Sequence, residues 1–193
     1  MPDHSLQKFI QKNTQRQAGI SARKGLDRDA AARFSRIISE KLISSAYGKA
    51  AVIFSYQPFG GEVDISYFNE WAVSEKKRVA FPICRDGGKM TAALPNGPDA
   101  WEIGKYGIRT PVESRSTLLE PAELELVIVP CAAFHGTSKM RIGMGAGYYD
   151  RYLPQCGKAA AIAVAFEAQR LDDLRADEWD MPLTHIVTEE RWY

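Results

Sequence analysis

Two stretches, ELVIVPCAAF (125–134) and KAAAIAVAF (158–166), are apolar at nearly every position. A strand alternating apolar with polar residues can leave one face in water. A strand without that alternation must be covered on both faces, and a mostly parallel sheet between two helical layers does this. KAAVIFSY (49–56) and RVAFPIC (78–84) have the same character, with helical segments between them. Asp27 is placed to cap a helix through RDAAARFSRIISEKLISS, where Ala31, Phe34, Ile37, Ile38, Leu42 and Ile43 recur at helical spacing. ISYFNEWAVSEKK and GYYDRYL read as further helices. Residues 5–24 read as a polar helix with Leu6, Ile10 and Thr14 along one side, and THIVTEE (184–190) as a last strand. From Asp86 to about residue 120 the chain is rich in turns, with short strands only near KMTAAL and WEI. The expectation is an α/β fold: one domain over 1–193, three layers α/β/α, a mostly parallel central sheet, Rossmann-like.

Composition narrows the function classes. The formal net charge of +1 gives no overall field to attract nucleic acid, so any anion site must be local. No run of about eighteen apolar residues suggests a membrane helix, and MPDHSLQKFIQKNTQRQ lacks the apolar centre of a secretion signal. Cys84, Cys131 and Cys156 form no CxxC pair and are expected to be reduced, buried core residues of a cytoplasmic chain.

RIGMGAGYYD (141–150) places Gly143, Gly145 and Gly147 at alternate positions. Bare backbone of this kind lets N–H groups approach an anion, and the helix start at Tyr148 adds partial positive charge. Arg141 is suited to phosphate oxygens and Asp150 to a divalent cation bridging them. The other reading of such a loop is a tight turn. The P-loop pattern GxxxxGK[ST] is absent. A dinucleotide fingerprint would need G-x-G-x-x-G directly off a strand. Here the spacing is G-x-G-x-G, and HGTSKM intervenes, even though Glu167 stands at a suitable distance for a ribose hydroxyl.

The loop and its context resemble the 5-formyltetrahydrofolate cyclo-ligase family. RIGMGAGYYDRYL is similar to its R-L-G-x-G-x-G-Y-Y-D signature, and KNTQR to its N-terminal K-x-x-x-R. YQPFGGEVD, LVIVPCAAF, AVAFEAQ and WDMPLTHIVTEE match four further segments in order. The resemblance implies MgATP-dependent conversion of 5-formyltetrahydrofolate to 5,10-methenyltetrahydrofolate. The formyl oxygen takes the γ-phosphoryl group, N10 closes the ring, and phosphate leaves. Such a step needs positioning and charge compensation more than a side-chain nucleophile, and no Ser-His-Asp set or Cys-His pair is evident.

The same resemblance implies residue roles. Lys12 and Arg16, four apart on one helical face, clamp ATP phosphates; the alternative is a solvated basic face. Arg141, Ile142, Gly143, Met144, Gly145, Ala146, Gly147, Tyr148 and Tyr149 wrap the nucleotide, and Met144 through Tyr148 also border the folate. Arg141, Tyr149 and Asp150 are the expected catalytic residues, and Asp150 with Asp180, in DEWDMP, the expected Mg²⁺ ligands. Glu62 reads the pterin, and Gln57 lines the folate by packing or backbone contact. The expected partners are these two small molecules, without nucleic acid or membrane, in a monomer or weak homodimer. Departures from the pattern are His135, Cys131, Ala146 and GIRTP (107–111). His135 orders Arg141 or its loop, or is an ordinary strand-end histidine. Three alternatives remain: a paralogue activating another formyl or amide compound, a folate-binding protein of low turnover, and a relative of the sugar-phosphate isomerases or coenzyme A transferases, suggested by the layered architecture alone.

Overall fold

A computed structural model describes residues 4–175, 177 and 180–193. The chain runs α1 (His4–Lys24), α2 (Arg28–Ser44), β1 (Val52–Phe54), α3 (Ser66–Ser74), β2 (Arg78–Cys84), β3 (Met90–Pro95), β4 (Trp101–Ile103), β5 (Arg109–Pro111), β6 (Ser116–Leu119) and β7 (Leu126–Pro130). It continues through β8 (Ala133–His135), β9 (Met140–Ile142), α4 (Tyr148–Tyr152), β10 (Ala160–Val164) and β11 (His185–Val187). The main sheet has seven strands in the order β11-β10-β7-β1-β2-β3-β6. Its first five pair in parallel, while β3 and β6 extend it antiparallel. β4–β5 and β8–β9 form separate two-stranded ribbons.

The doubly apolar strands are buried on both faces. Along β7, Leu126 and Ile128 point to one core, and Val127 and Val129 to the other; all four are fully buried. Fully burying such a side chain contributes about 1.5–3 kcal/mol, which is why neither face can be left open. Helices α2 and α3 cover the first face. Asp27 caps α2 by accepting from the Ala30 N–H at 2.8 Å, and Ile38 and Leu42 go wholly inside. On the other face Phe54 packs against Tyr152 of α4, ring centroids 5.1 Å apart.

Three sequence expectations are corrected. ELVIVPCAAF is not one strand: it breaks after Pro130, and β8 turns off into the β8–β9 ribbon. Strands β5 and β6 occupy part of the turn-rich middle. Helix α1 does not pack through an apolar side, for Ile10 is 55% exposed. Its inward face carries Lys12, Arg16, Gly19 and Arg23. A Cβ on Gly19 would lie 2.1 Å from the Ala132 carbonyl oxygen, so the helix can reach the β7–β8 break only with glycine there.

From β1 the chain moves through α3 to β2 on one side; from β7 it moves through β10 to β11 on the other. The turning point of the topology therefore lies between β1 and β7. Beyond the carboxyl ends of strands at such a point lies the crevice where open α/β sheets bind ligands. The β1 exit loop (55–65) and the β7–β8 break meet there.

Candidate active site

Three elements converge on this crevice. Arg16 of α1 donates through Nε to the Gly143 carbonyl at 2.8 Å, and its guanidinium lies within 4 Å of where a Gly145 Cβ would stand. Lys12, one turn earlier, donates to Asp177 Oδ2 at 2.7 Å and to Asp180 Oδ2 at 2.6 Å. Burial alone would lower the Lys12 pKa, but those two carboxylates outweigh it and hold it above the usual lysine value. Gln15 fastens the same carboxylate-bearing segment to α1, bonding the Asp173 carbonyl and the Arg175 N–H. The structure thus brings Lys12, Arg16, Asp180 and the glycine loop together. Of DEWDMP, residues 178 and 179 lie outside the described residues.

The glycine loop divides in two. Gly145 and Gly147 have φ of +104° and +66°, which a side chain would strain. Gly143 has no positive φ, and nothing lies within 4 Å of its absent Cβ. The loop is tied down by Arg151, which reaches the Ala146 and Gly88 carbonyls. Helix α4 has only five residues, so exposed backbone N–H groups, not a long helix dipole, must supply most of the loop's positive potential.

Arg141 and Asp150 are paired with each other at 2.9 Å, and the Arg141 side chain is only 3% exposed. Its second nitrogen reaches the Met181 carbonyl at 3.4 Å, so one guanidinium joins Asp150 to the strand-loop that carries Asp180. In this arrangement Arg141 organises the acidic residues. Tyr149 lies beside it, 6.0 Å from guanidinium carbon to ring centroid. Burial, and then the nearby Glu62 charge, hold the Tyr149 hydroxyl well above the usual tyrosine range.

Glu62 closes the β1 exit loop, its Oε2 accepting from the Phe59 N–H at 3.1 Å. Burial raises its pKa, partly offset by Arg23 and by that N–H. Glu62 and Gly61 line a cleft of about 520 Å³ walled by Arg23, Leu26, Ala31 and Phe166. Gln57, on the same loop, is half-buried. Phe59 and Tyr106 pack against each other with rings tilted by 40° and centroids 5.8 Å apart, and are 39% and 79% exposed.

Several residues singled out in the sequence are structural props. The buried Gln169 amide donates to the Cys131 and Ala132 carbonyls at 2.9 and 2.7 Å and accepts from the Phe166 N–H, satisfying the backbone where β7 breaks. Glu167 is spent on Thr188, Arg170 and Tyr193, which disposes of a ribose-binding role. His135 accepts the Ser138 N–H at its Nδ1 and so orders its own hairpin turn; it does not reach Arg141. Cys131 and Cys156 are buried, with Cys131 pushed up to about 12 by burial, whereas Cys84 is exposed, contrary to expectation. Arg109 of GIRTP lies over Trp101 at 4.6 Å, a packing role. Sequence reasoning missed Arg23, Gln169, Phe59 and Tyr106. The 12-16-19-23 spacing on α1 was the available signal for Arg23.

Residues 9–189 match the model of the 5-formyltetrahydrofolate cyclo-ligase family. The chain belongs to the 5-formyltetrahydrofolate cyclo-ligase family. Among its relatives, a 5-formyltetrahydrofolate cyclo-ligase of Mycolicibacterium smegmatis is 31% identical over 150 residues, covering 72% of this chain and 74% of that one. The one of Haemophilus influenzae is 28% identical, covering 72% and 76%. The solved 5,10-methenyltetrahydrofolate synthetase of Aquifex aeolicus superposes with a TM-score of 0.81 at 28% identity, covering 94% of this chain and 91% of that one. The same fold occurs in the synthetase of Mycoplasma pneumoniae, with a TM-score of 0.75 at 24% identity. Cyclo-ligase membership places the six sequence segments in one family; the site geometry shows why they meet in space.

Proposed function

We propose that the chain converts 5-formyltetrahydrofolate and ATP to 5,10-methenyltetrahydrofolate, ADP and phosphate, as a single domain in the cytoplasm, monomeric or weakly dimeric, and without a nucleic-acid or membrane partner. Family membership supports the reaction, and among the described residues no helix is long and apolar enough to cross a membrane. The single observation that carries the site is the convergence of Lys12, Arg16 and the Gly143–Gly147 loop at the topological turning point.

An amide-like formyl oxygen is a poor leaving group until phosphorylated, and the transfer needs alignment and charge neutralisation. Arg16 and the loop N–H groups meet the nucleotide phosphates, with Ile142 and Met144 through Tyr149 around them. Lys12 is held in reserve by Asp177 and Asp180, ready to exchange a carboxylate for a phosphate oxygen. Glu62 accepts paired hydrogen bonds from the pterin ring and its exocyclic amine, while Phe59, Tyr106, Gln57 and Met144 provide packing surfaces. Arg141, with Tyr149 beside its guanidinium, fixes Asp150 next to the transferring group.

The donor set also fits Mg²⁺. Among the described residues no cluster of three or more His, Cys, Asp or Glu forms a closed cage. Mg²⁺ bound with nucleotide usually needs only one or two carboxylates plus phosphates; Asp150, on Arg141, and Asp180, next to the Met181 carbonyl that Arg141 reaches, would supply two. The ion would neutralise charge on the phosphates.

The test is to mix the protein with 5-formyltetrahydrofolate and MgATP and follow methenyl absorbance. ATP-dependent growth of the product is expected; tight folate binding without turnover would favour the storage reading. In the same assay Asp150→Asn is expected to lose at least about 100-fold in kcat. The variant should keep its circular dichroism spectrum, because Asn still offers Arg141 an acceptor. An unimpaired variant removes Asp150 from the site.

A further inference from the structure

Arg23 has no assigned task, yet it is among the most deeply buried cations of the chain, with its side chain 1% exposed. Its NH1 donates to the Cys131 carbonyl at 3.2 Å and stands 3.9 Å from Glu62 Oε1. Its NH2 approaches the Met144 sulfur of the glycine loop at 3.9 Å. Its Nε finds no partner among the described residues. Arg23 and Glu62 also share the wall of the 520 Å³ cleft.

A buried guanidinium costs desolvation that the fold must offset, and a hydrophobic residue of similar size would usually serve stability as well. What the arginine does that a hydrophobe cannot is donate to a backbone carbonyl and face a carboxylate with the same nitrogen. We propose that Arg23 is a positioning residue for the substrate-reading carboxylate: anchored on the Cys131 carbonyl, its guanidinium holds Glu62 at the cleft wall in the orientation the pterin requires. The proposal rests on the reading of Glu62 given above. Its structural basis is the register of α1, since Gly19 draws the helix onto Ala132 and thereby delivers Arg23 to the end of β7.

The electrostatics agree. Arg23 from α1 opposes the burial of Glu62, whose charge in turn adds to the raised pKa values of Tyr56 in the β1 exit loop, Cys131 after β7 and Tyr149 of α4. Lys24, Arg28 and Asp64 line the same cleft. Burial raises the Glu62 pKa and Arg23 is the foremost opposing charge, so removing Arg23 moves the acid limb of substrate binding to higher pH.

The experiment measures kcat, both KM values and the pH profile for Arg23→Gln, Arg23→Lys, Glu62→Gln and the Arg23→Gln/Glu62→Gln double variant. Arg23→Gln is expected to raise the KM for 5-formyltetrahydrofolate about tenfold, with a smaller change in the KM for ATP and an acid limb displaced upward. Arg23→Lys should restore part of the loss, and the double variant should be no worse than the poorer single one. A merely structural arginine would instead lower Tm, leave the pH limb in place and add to Glu62→Gln; that result overturns the proposal. If Glu62→Gln leaves the folate KM unchanged, the reading of Glu62 fails and takes the proposal with it. If Glu62→Gln raises it while Arg23→Gln does not, only the proposal fails. Should Arg23→Gln not fold, Arg23→Lys and an Arg23→Lys/Glu62→Gln double variant decide: a raised folate KM that is not additive with Glu62→Gln supports positioning, and additivity overturns it.

Discussion

Gly143, Gly145 and Gly147 look alike in the sequence but do different work. Gly147 holds φ of +66°, and a Cβ there would lie 2.8 Å from Arg151 NH1. Gly143 has ordinary backbone and open space in front of it. Gly147→Ala is therefore expected to cost about 1–2 kcal/mol of stability from the strained conformation. Gly143→Ala should leave Tm nearly unchanged while raising the KM for ATP, because its methyl enters the open space where we propose the phosphates bind. Thermal denaturation and steady-state kinetics on the two variants check this, and equal Tm losses would contradict it. Positions were legible where a charge stands in a family motif: the structure sets Arg16 on the glycine loop, Lys12 on Asp180 and Asp150 on Arg141. Arg23 and Gln169 were not, because their partners lie 108 and 38 residues away, at Cys131. Nothing local marks a buried guanidinium or amide that satisfies distant backbone carbonyls.

At the scale of elements, the doubly apolar strands announced the parallel sheet and Asp27 announced the start of α2. Helix α1 misled, because apolar periodicity locates a packing face only when the partner is an apolar core. Here the partner is the backbone of the β7–β8 break and the glycine loop, so the inward face is Lys12, Arg16, Gly19 and Arg23. Short strands β5 and β6 escaped notice for a related reason: three or four residues with polar members gain their structure from neighbours. The seating of α1 depends on one missing side chain. Gly19→Val should push the helix off Ala132, destabilising the protein by about 1–3 kcal/mol. It should raise the KM values for both substrates together, since Lys12, Arg16 and Arg23 move as one body. A change in Tm without any kinetic change would separate α1 from the site.

At the scale of the whole molecule, the candidate site lies where the sheet reverses its winding, so its loops come from strands that must be rigid for other reasons. Its groups also tie stability to pH. Lys12, Tyr56, Tyr149 and Tyr152 all have pKa values raised in the folded state: Lys12 because Asp177 and Asp180 outweigh its burial, the tyrosines because burial disfavours their anions. The folded chain therefore binds these protons more tightly than the unfolded chain. Their contribution is complete below the ordinary lysine and tyrosine values and is lost as pH rises through the raised ones. Tm is expected to fall once the pH passes about 10, and Lys12→Met should blunt part of that fall. A Tm that stays level across this range would contradict the pairing seen at Lys12.

The central claim is that α1 and the glycine loop together form one triphosphate site. Calorimetric titration of MgATP into the native chain and into a Lys12→Ala/Arg16→Ala variant tests it most directly. An affinity lowered at least about 100-fold, with 5-formyltetrahydrofolate binding little changed, is the result expected. Equal affinity for MgATP in the two proteins would contradict it.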